Sequence, residues 1–373
     1  MKEIRVLSLV PYKILPARLG GEKGIALFSK YLGEQVELLA VSTKNNEIAL
    51  AENYSMLNIL SNTRLRYANI FLYFTLRRLI REQNITHLLL EHPYYAWLGF
   101  LLRKTMKIRL VIHSHNIEYM RSRSIGRWWW KALRSYEKWA YSIADLNFFI
   151  SEDDMNHAIS ELNVKSKKAI PVTYGIENSR LDDDIASAKN IIQEKHDIKA
   201  NEKILLFNGA LYHHTNYDAV TVITEYINPF LMKQSQQYKI IVCGKGLPES
   251  FNELRDFADK NIIYAGFVDD ISIYFKAADI FLNPIQAGGG VKTKAIEALS
   301  YDCTVISTEI GALGLKREVC GSKLHVVADN DWTSFNEALL QAFKEHSTLP
   351  PDFFDYYYWG NIVSKALHAM RRL

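Results

Sequence analysis

"DIFLNPIQAGGGVKTKAIEAL", residues 279–299, passes from a short apolar run through Pro284 and three consecutive glycines into residues with helical spacing. Read as a strand, a tight turn and a helix from Val291 onward, it is one βα unit, the repeating element of a parallel sheet. Val291, Ala295, Ala298 and Leu299 are then its inward positions. Lys292 and Lys294 fall in the first helical turn, at the positive end of the helix dipole, where Asp or Glu would be favoured. A glycine turn at a helix N-terminus also presents backbone N–H groups to an anion. A phosphate bound there would offset the unfavourable placement of both lysines. At about 100° per residue, Gly290, Lys294 and Glu297 share a narrow face, and Glu297 is placed to accept hydrogen bonds from hydroxyl groups. The same residues also suit a plain tight turn with Lys294 paired to Glu297 at i,i+3. The stretch is not a P-loop, because no Lys-Ser/Thr pair follows at the spacing that motif requires.

The βα rhythm extends in both directions. Upstream, "RVLSLV" (5–10), "VELLAVS" (36–42), "THLLLEH" (86–92), "RLVIHSH" (109–115) and "LNFFIS" (146–151) read as buried strands, with helical stretches such as 23–33 and 65–83 between them. "IPVTYGIENSRLDDD" (170–184) breaks the pattern with a polar and then acidic turn, and a helical "IASAKNIIQEKH" follows. A second alternating set comprises "KILLFNG" (203–209), "YKIIVCG" (238–244), "IIYAGF" (262–267), "DIFLNPI" (279–285), "TVIST" (304–308) and "KLHVVA" (323–328). The fold class is therefore α/β, with two doubly wound domains at 1–173 and 201–355 and a linker region at 174–200. A chain of 373 residues exceeds one ordinary core, which agrees with two domains. Ligands of open α/β sheets bind at the carboxyl ends of the strands, so a site in the cleft between two such domains is expected.

Composition narrows the function classes. The chain is 48% hydrophobic with a net charge of +4, the balance of a soluble globular protein. Its three cysteines, Cys243, Cys303 and Cys320, show no metal-ligand spacing and suit a reducing cytoplasm. Met1 leads straight into "IRVLSLV" without a signal-peptide pattern, and no apolar run is long enough to span a bilayer. Between Arg103 and Lys138 there are ten Lys or Arg residues against Glu118 and Glu137, around the run Trp128, Trp129 and Trp130. Arg121, Arg123, Arg127, Trp128 and Lys131 suit an anionic membrane surface or a lipid-linked anion, and equally a solvated helix face with tryptophans packed inward. No nucleic-acid motif and no domain-wide basic excess is present.

Three further stretches carry candidate chemistry. In "VIHSHNIEYM", His113 and His115 close a buried strand and Asn116 and Glu118 follow, a strand end where histidine can polarise a hydroxyl or stabilise charge. They also suit satisfied cap histidines. "ARLGGEKG" (17–24) lacks a dinucleotide fingerprint, yet Gly20 and Gly21 would let backbone approach a ligand. "NGALYHHTNYDA" (208–219) places Gly209 and His213–His214 after the first strand of the second domain. Adjacent histidines are a poor metal site, and no metal is assigned.

Taken together, these segments resemble family 4 glycosyltransferases of the GT-B architecture. "GGGVKTKAIEAL" followed by "TVISTEIGALGL" resembles the family's donor-binding segment, and "SHNIEYMRSR" with "LRSYEKWAYSIADLNFFISEDD" resembles its His-Asn-x-Glu strand end and the strand that follows. "FNGALYHHTNYDAV" and "IIYAGFVDDISIYFKAADIFLNP" are similar to segments of its second domain, so the resemblance covers nearly the whole chain in order. It implies two Rossmann-like domains facing across a cleft and a C-terminal helix crossing back to the first, here 356–373 within "DFFDYYYWGNIVSKALHAM" (352–370). It also implies a nucleotide-diphosphate sugar bound mainly by the second domain. Gly289, Gly290 and Val291 would hold the diphosphate with Lys292 and Lys294, Glu297 would take the ribose hydroxyls, and the base would lie near Phe267 and Val268. Gly209 would line the donor site, and Gly20 and Gly21 would approach from the first domain. His115 would be the acceptor-side histidine near the reacting sugar, with His113, Asn116 and Glu118 beside it.

Two departures stand out. The family's first donor-site glutamate would fall at 289, where this chain has Gly289, and the Arg and Lys of many relatives are replaced by "ALYHHTN" (210–216). The resemblance implies retaining, metal-independent sugar transfer with no cofactor beyond the donor, catalysed by His115, Lys294 and Glu297. The acceptor would be a glycan or lipid-linked molecule, in surface polysaccharide or lipopolysaccharide assembly, by an enzyme that is cytoplasmic or peripheral on the inner membrane face. A GT-B sugar-nucleotide epimerase and a degenerate, non-catalytic nucleotide-sugar-binding protein are the alternatives.

Overall fold

Thirteen parallel strands and the helices between them form two separate sheets in the computed structural model, which describes residues 3–181, 184–345 and 347–373. The chain divides into a first unit, Met1–Glu177 with Tyr357–Leu373, and a second unit, Asn178–Tyr356.

The first unit's strands are β1 (Arg5–Leu9), β2 (Glu37–Thr43), β3 (Ser55–Leu60), β4 (His87–Glu91), β5 (Arg109–Ser114), β6 (Leu146–Phe149) and β7 (Ala169–Pro171). Their order in the sheet is β3-β2-β1-β4-β5-β6-β7, with every pairing parallel. Helices cover both faces, so the central strands are apolar throughout: Val6, Leu7, Leu9, Leu88, Leu89, Leu90, Leu110, Val111 and Ile112 are all fully buried. The periodicity misses the two edge strands. β3, "SMLNIL", alternates exposed and buried positions on an open edge, and β7 is three residues long and ends in a proline.

The second unit's strands are β8 (Lys203–Asn208), β9 (Tyr238–Cys243), β10 (Ile262–Gly266), β11 (Ile280–Asn283), β12 (Thr304–Thr308) and β13 (Leu324–Val327), in the order β10-β9-β8-β11-β12-β13. The stretch read as a linker, 174–200, contains a helix, Ile185–His196, that belongs to this unit. Lys189 on it donates to both carboxylate oxygens of Asp279 at 2.8 Å, and His196 Nε2 lies 3.0 Å from the Tyr274 hydroxyl. Asp182 and Asp183 of the acidic run lie outside the described residues.

The C-terminal helix Trp359–Arg371 belongs to the first unit and packs on the helix Gly20–Gly33. Ile176 and Trp359 fix its start through the hydrogen bonds Ile176 N to Tyr357 O, 2.8 Å, and Trp359 N to Ile176 O, 3.0 Å. Trp359 is buried against Phe28 and Tyr174. Position 175 has to be glycine for this contact, because a Cβ would stand 2.6 Å from the indole.

In each unit the connections reverse direction once, between β1 and β4 and between β8 and β11. Such a reversal opens a crevice at the carboxyl ends of the two strands, the usual ligand position in an open α/β sheet.

Candidate functional site

In the second unit the residues singled out by sequence converge on the β8/β11 reversal. The helix after β11 begins at Thr293, with Lys292 as its N-cap, rather than at Val291. The reason is backbone geometry: Gly288 and Gly290 take φ of +102° and +75°, left-handed values that keep the chain turning up to Lys292. Gly290 and Val291 therefore lie off the helix, and only Lys294 and Glu297 share its face. Ala295, Ala298 and Leu299 are buried as the spacing predicts, while Val291 is half-buried.

The Lys294 ammonium points back across the sheet end. It donates to the Asn208 carbonyl at 2.7 Å and to Asn216 Oδ1 at 3.1 Å, and Asn216 in turn donates to the Ala210 carbonyl. A Cβ on Gly209 would come within 2.8 Å of Lys294 Nζ, so glycine there keeps the ammonium's seat open. Lys292 donates to the carbonyls of Gly288 and Gly289 at 3.2 and 3.4 Å, clasping the turn itself. Burial holds both lysines well below the ordinary range, at about 8. For Lys294, Lys292 adds to the lowering and Glu297 opposes it. The Oδ1 of Asn208 is buried without a hydrogen-bond partner among the described residues. Two lysines beside a glycine turn at a helix start are the groups that would complement a polyanion.

The neighbouring strand ends are laced to this one: Gly209 N donates to Cys243 O, and Gly244 N to Gly266 O. Phe267 and Val268 follow β10 on that edge, with the Phe267 ring exposed and the Lys245 ammonium 5.8 Å from its centre. An exposed ring beside a cation offers a flat surface for an aromatic base.

Gly289 is the position at which the family resemblance would place a carboxylate. Its φ is outside the left-handed region, and a Cβ there would meet nothing within 4 Å. Glycine is therefore not demanded by the fold at this position. Gly289→Glu is expected to leave the melting temperature within about 2 °C of the native protein, the range of an unstrained surface change. A larger drop in a thermal melt would contradict it.

In the first unit the candidates gather at the β1/β4 reversal around a residue that lies outside every sequence motif. Glu91 closes β4 fully buried, and its Oε2 lies 2.6 Å from His115 Nε2 and 3.0 Å from His113 Nδ1. Burial opposes its ionisation, but the two imidazoles outweigh that and hold the carboxyl at about 2. Burial, reinforced by His113, lowers the pKa of His115, so that its ring is neutral near pH 7. His92 follows Glu91 with φ +75° and ψ 154°, a region that non-glycine residues enter only under strain of about 1–3 kcal/mol. The strained backbone stacks its ring on Tyr94, interplanar angle 6°, and sets Nε2 3.0 Å from the Tyr12 hydroxyl. Glu118 is buried, pushed up by that burial, with Oε1 3.7 Å from His92 Nδ1. Asn116 is half-buried beside it. The helix Glu118–Ser124 starts on a third buried carboxylate: Glu137 accepts from the N–H groups of Glu118 and Tyr119 at 2.9 and 2.8 Å, and burial pushes it up to about 7. Gly20 and Gly21 open the helix after β1, with Gly21 3.7 Å (Cβ position) from the Tyr12 hydroxyl. Tyr12 is thus hydrogen-bonded to His92, the His92 ring lies 4.8 Å from that of His115, and His115 is hydrogen-bonded to Glu91.

Residues 202–345 match the family described as Glycosyl transferases group 1, and residues 20–180 match Glycosyltransferase Family 4. The chain belongs to the family 4 glycosyltransferases. Among solved structures, it is similar to a glycosyltransferase from Rickettsia africae over 100% of this chain and 99% of that one, TM-score 0.74 and 15% identity. It is similar to the Anabaena protein HepE, solved with UDP-glucose, over the full length of both, TM-score 0.69 and 13% identity. At such identities the likeness is one of fold, and the fold is GT-B. In sequence, 116 residues are 26% identical to an uncharacterized 44.6 kDa protein in the cps region of Klebsiella pneumoniae, a match spanning 30% of this chain and 30% of that relative.

Within this glycosyltransferase, the basic and aromatic set lies beyond the His-Glu cluster. Arg121 and Arg123 are exposed on the helix Glu118–Ser124, and Arg127 and Lys131 are exposed around it. Trp128 stands out at 88% exposed, while Trp129 and Trp130 lie beneath the cations of Arg127, Arg123 and Lys131. No helix among the described residues is long and apolar enough to cross a membrane.

Glu91, His113 and His115 also offer a carboxylate and two imidazoles whose ligand atoms lie within 4.8 Å of one another, the donor types a divalent ion accepts. Both nitrogens, however, converge on one carboxylate oxygen at hydrogen-bond distance, closer than the roughly 3.3 Å between ligand atoms around tetrahedral zinc. The shorter of the two contacts is a hydrogen bond between His115 Nε2 and Glu91 Oε2. Glu91, His92, Tyr12, Asn208 and Asn216 are the site residues that pattern reading misses. "LLLEHPYY" (88–95) does carry a signal for the first two, since an acid and a histidine end an otherwise apolar strand.

Proposed function

We propose that this glycosyltransferase moves a sugar, with retention and without a metal ion, from a nucleoside-diphosphate sugar to a glycan or lipid-linked acceptor. The observation that carries the donor assignment is the Lys294 ammonium seated on Asn208 O and Asn216 Oδ1 beside the glycine turn. Lys294, Lys292 and the N–H groups around Gly289 and Gly290 would stabilise the departing diphosphate, the role a metal ion plays elsewhere. Glu297 would bind ribose hydroxyls, and Phe267 and Val268 would receive the base. His115, held neutral and anchored by Glu91, would orient the acceptor side, with the proton of the attacking hydroxyl passing to the donor phosphate. HepE's UDP-glucose makes a uridine donor the first to try, and the cps-region relative supports a role in surface polysaccharide or lipopolysaccharide assembly. Arg121, Arg123, Arg127, Trp128 and Lys131 would dock an anionic acceptor or the inner membrane face, making the enzyme cytoplasmic and peripheral.

A thermal-shift screen of UDP-, GDP-, ADP- and dTDP-sugars tests the donor reading. A ligand at 100 times its Kd adds about 2.7 kcal/mol to the folded state, a rise of roughly 5–10 °C for a unit of this size. One nucleotide class is expected to give that rise. A flat response to all four would remove the donor site.

A further inference from the structure

Outside both clusters, the first unit carries a patch of apolar surface that neither the fold nor the transfer chemistry uses. Leu65, Ile70, Phe71 and Phe74 are 79%, 60%, 75% and 62% exposed. Four large apolar side chains turned out within ten residues mark an interaction surface.

The segment beneath them is firmly built. The Arg66 guanidinium donates to Pro11 O at 2.7 Å, Asn62 O at 3.0 Å and Thr63 O at 2.9 Å, and lies over the Tyr67 ring. Tyr67 packs on Tyr94 and Tyr95, and its carbonyl accepts from Trp97 Nε1 at 3.0 Å. Asn69 Oδ1 accepts from Phe71 N at 3.1 Å, fixing the turn into the helix Leu72–Glu82. Tyr67 and Tyr73 pack against the core, whereas Leu65, Ile70, Phe71 and Phe74 are presented on the outside of that frame. The exposure is therefore a property of a fixed loop.

Charge decides what covers it. From Ser61 to Arg81 there are five arginines and no acidic residue. Arg64, Arg78 and Arg81 are exposed. Phenylalanine and aliphatic side chains rimmed by arginines match the boundary of an anionic bilayer, where apolar groups enter the acyl region and cations meet headgroups. We infer that Leu65–Phe74 is a lipid-inserting loop that seats this enzyme on an anionic membrane. It follows β3, so it lies at the carboxyl end of the same sheet that carries His115 and Glu91. The inference rests on the proposed membrane-side acceptor for its purpose, but its geometry is separate from the Trp128 surface.

The test is co-flotation of the full chain with vesicles of phosphatidylcholine alone or with about 30 mol% phosphatidylglycerol, enough anionic lipid to attract the arginine rim. Ile70→Ser/Phe71→Ser/Phe74→Ser and Trp128→Ser are compared with the native protein, and Phe71→Trp serves as a fluorescent reporter. Native protein is expected to float only with the anionic vesicles, and the triple variant to bind at least roughly tenfold more weakly. Indole emission from the Phe71→Trp variant should shift to the blue when those vesicles are added. The triple variant should keep the native melting temperature and its thermal shift with the donor, because these residues touch neither cluster. Unchanged flotation of the triple variant overturns the inference, and loss on Trp128→Ser alone assigns docking to that surface instead. Equally, a dimer in sedimentation that the triple variant dissolves, without vesicle binding, would make the patch a protein interface and overturn it. Vesicle binding that depends on Phe71 in a protein that no nucleotide sugar stabilises would uphold the loop and sink the donor reading.

Discussion

Lys294→Ala is expected to lower kcat/KM for the nucleotide sugar by about 10²–10³, the loss seen when one preorganised donor to developing charge is removed. The ammonium is the cation seated at the β8/β11 reversal, and its hydrogen bonds to Asn208 O and Asn216 Oδ1 aim it along the strand ends. Burial holds it at about 8, against 10.5 for a free lysine, so the folded chain disfavours the very charge the proposed donor site requires. Between about pH 8 and 10.5 the unfolded chain binds more protons at this lysine than the folded one, and stability rises with pH across that window. A lysine kept at the expense of stability points to function. Lys294→Met should therefore lose activity like Lys294→Ala while melting no lower than the native protein. A variant that melts several degrees lower and keeps its donor affinity would assign Lys294 to structure.

Glu91→Gln carries the second large effect, a fall in transfer rate of about 10² with donor affinity unchanged. The carboxylate is hydrogen-bonded to His115 Nε2 at 2.6 Å, with His113 Nδ1 3.0 Å from the same oxygen, and so fixes the tautomer and orientation of His115. An amide can turn its NH₂ toward the rings, and a donor facing a donor would rotate His115 or change its tautomer. The lysines and glycine turn proposed to hold the donor phosphates belong to the other unit, so the change should appear in kcat at saturating donor and in the pH profile, with the Kd for nucleotide constant. Equal losses in Kd, kcat and melting temperature would make Glu91 a packing residue.

Much of this architecture is legible in the chain itself. The central strands announce themselves as apolar runs because a parallel sheet covered on both faces buries every position. Among the edge strands, Ser55–Leu60 mixes exposed and buried positions and Ala169–Pro171 is three residues long, so neither forms such a run. Lys294, Glu297, His113 and His115 are legible because the residue types are out of place, cations at a helix start and histidines at the end of a buried strand. Glu91 is hidden for the opposite reason: its partners are 22 and 24 positions away and meet it only through β4/β5 pairing, Glu91 with His113. Periodicity puts Gly290 on the helix face because it carries no information on the left-handed turn at Gly288 and Gly290. The exposed segment Leu65–Phe74 reads as the start of a helix over 65–83, whereas the helix begins at Leu72, since its apolar residues are indistinguishable from inward ones until the fold turns them out.

The most direct test of the donor site is calorimetric titration of the native protein with UDP, GDP, ADP and dTDP at about pH 7 and pH 9.5, on either side of the lysines' range. With Lys292 and Lys294 at about 8, the neutral amines formed at high pH must regain protons to hold a diphosphate. One nucleoside diphosphate is expected to bind with one-to-one stoichiometry and to weaken about 30-fold or more at the higher pH, a factor of about ten per pH unit for each proton regained. Failure of all four to bind, or equal affinity at the two pH values, would contradict a diphosphate cradle built on Lys294.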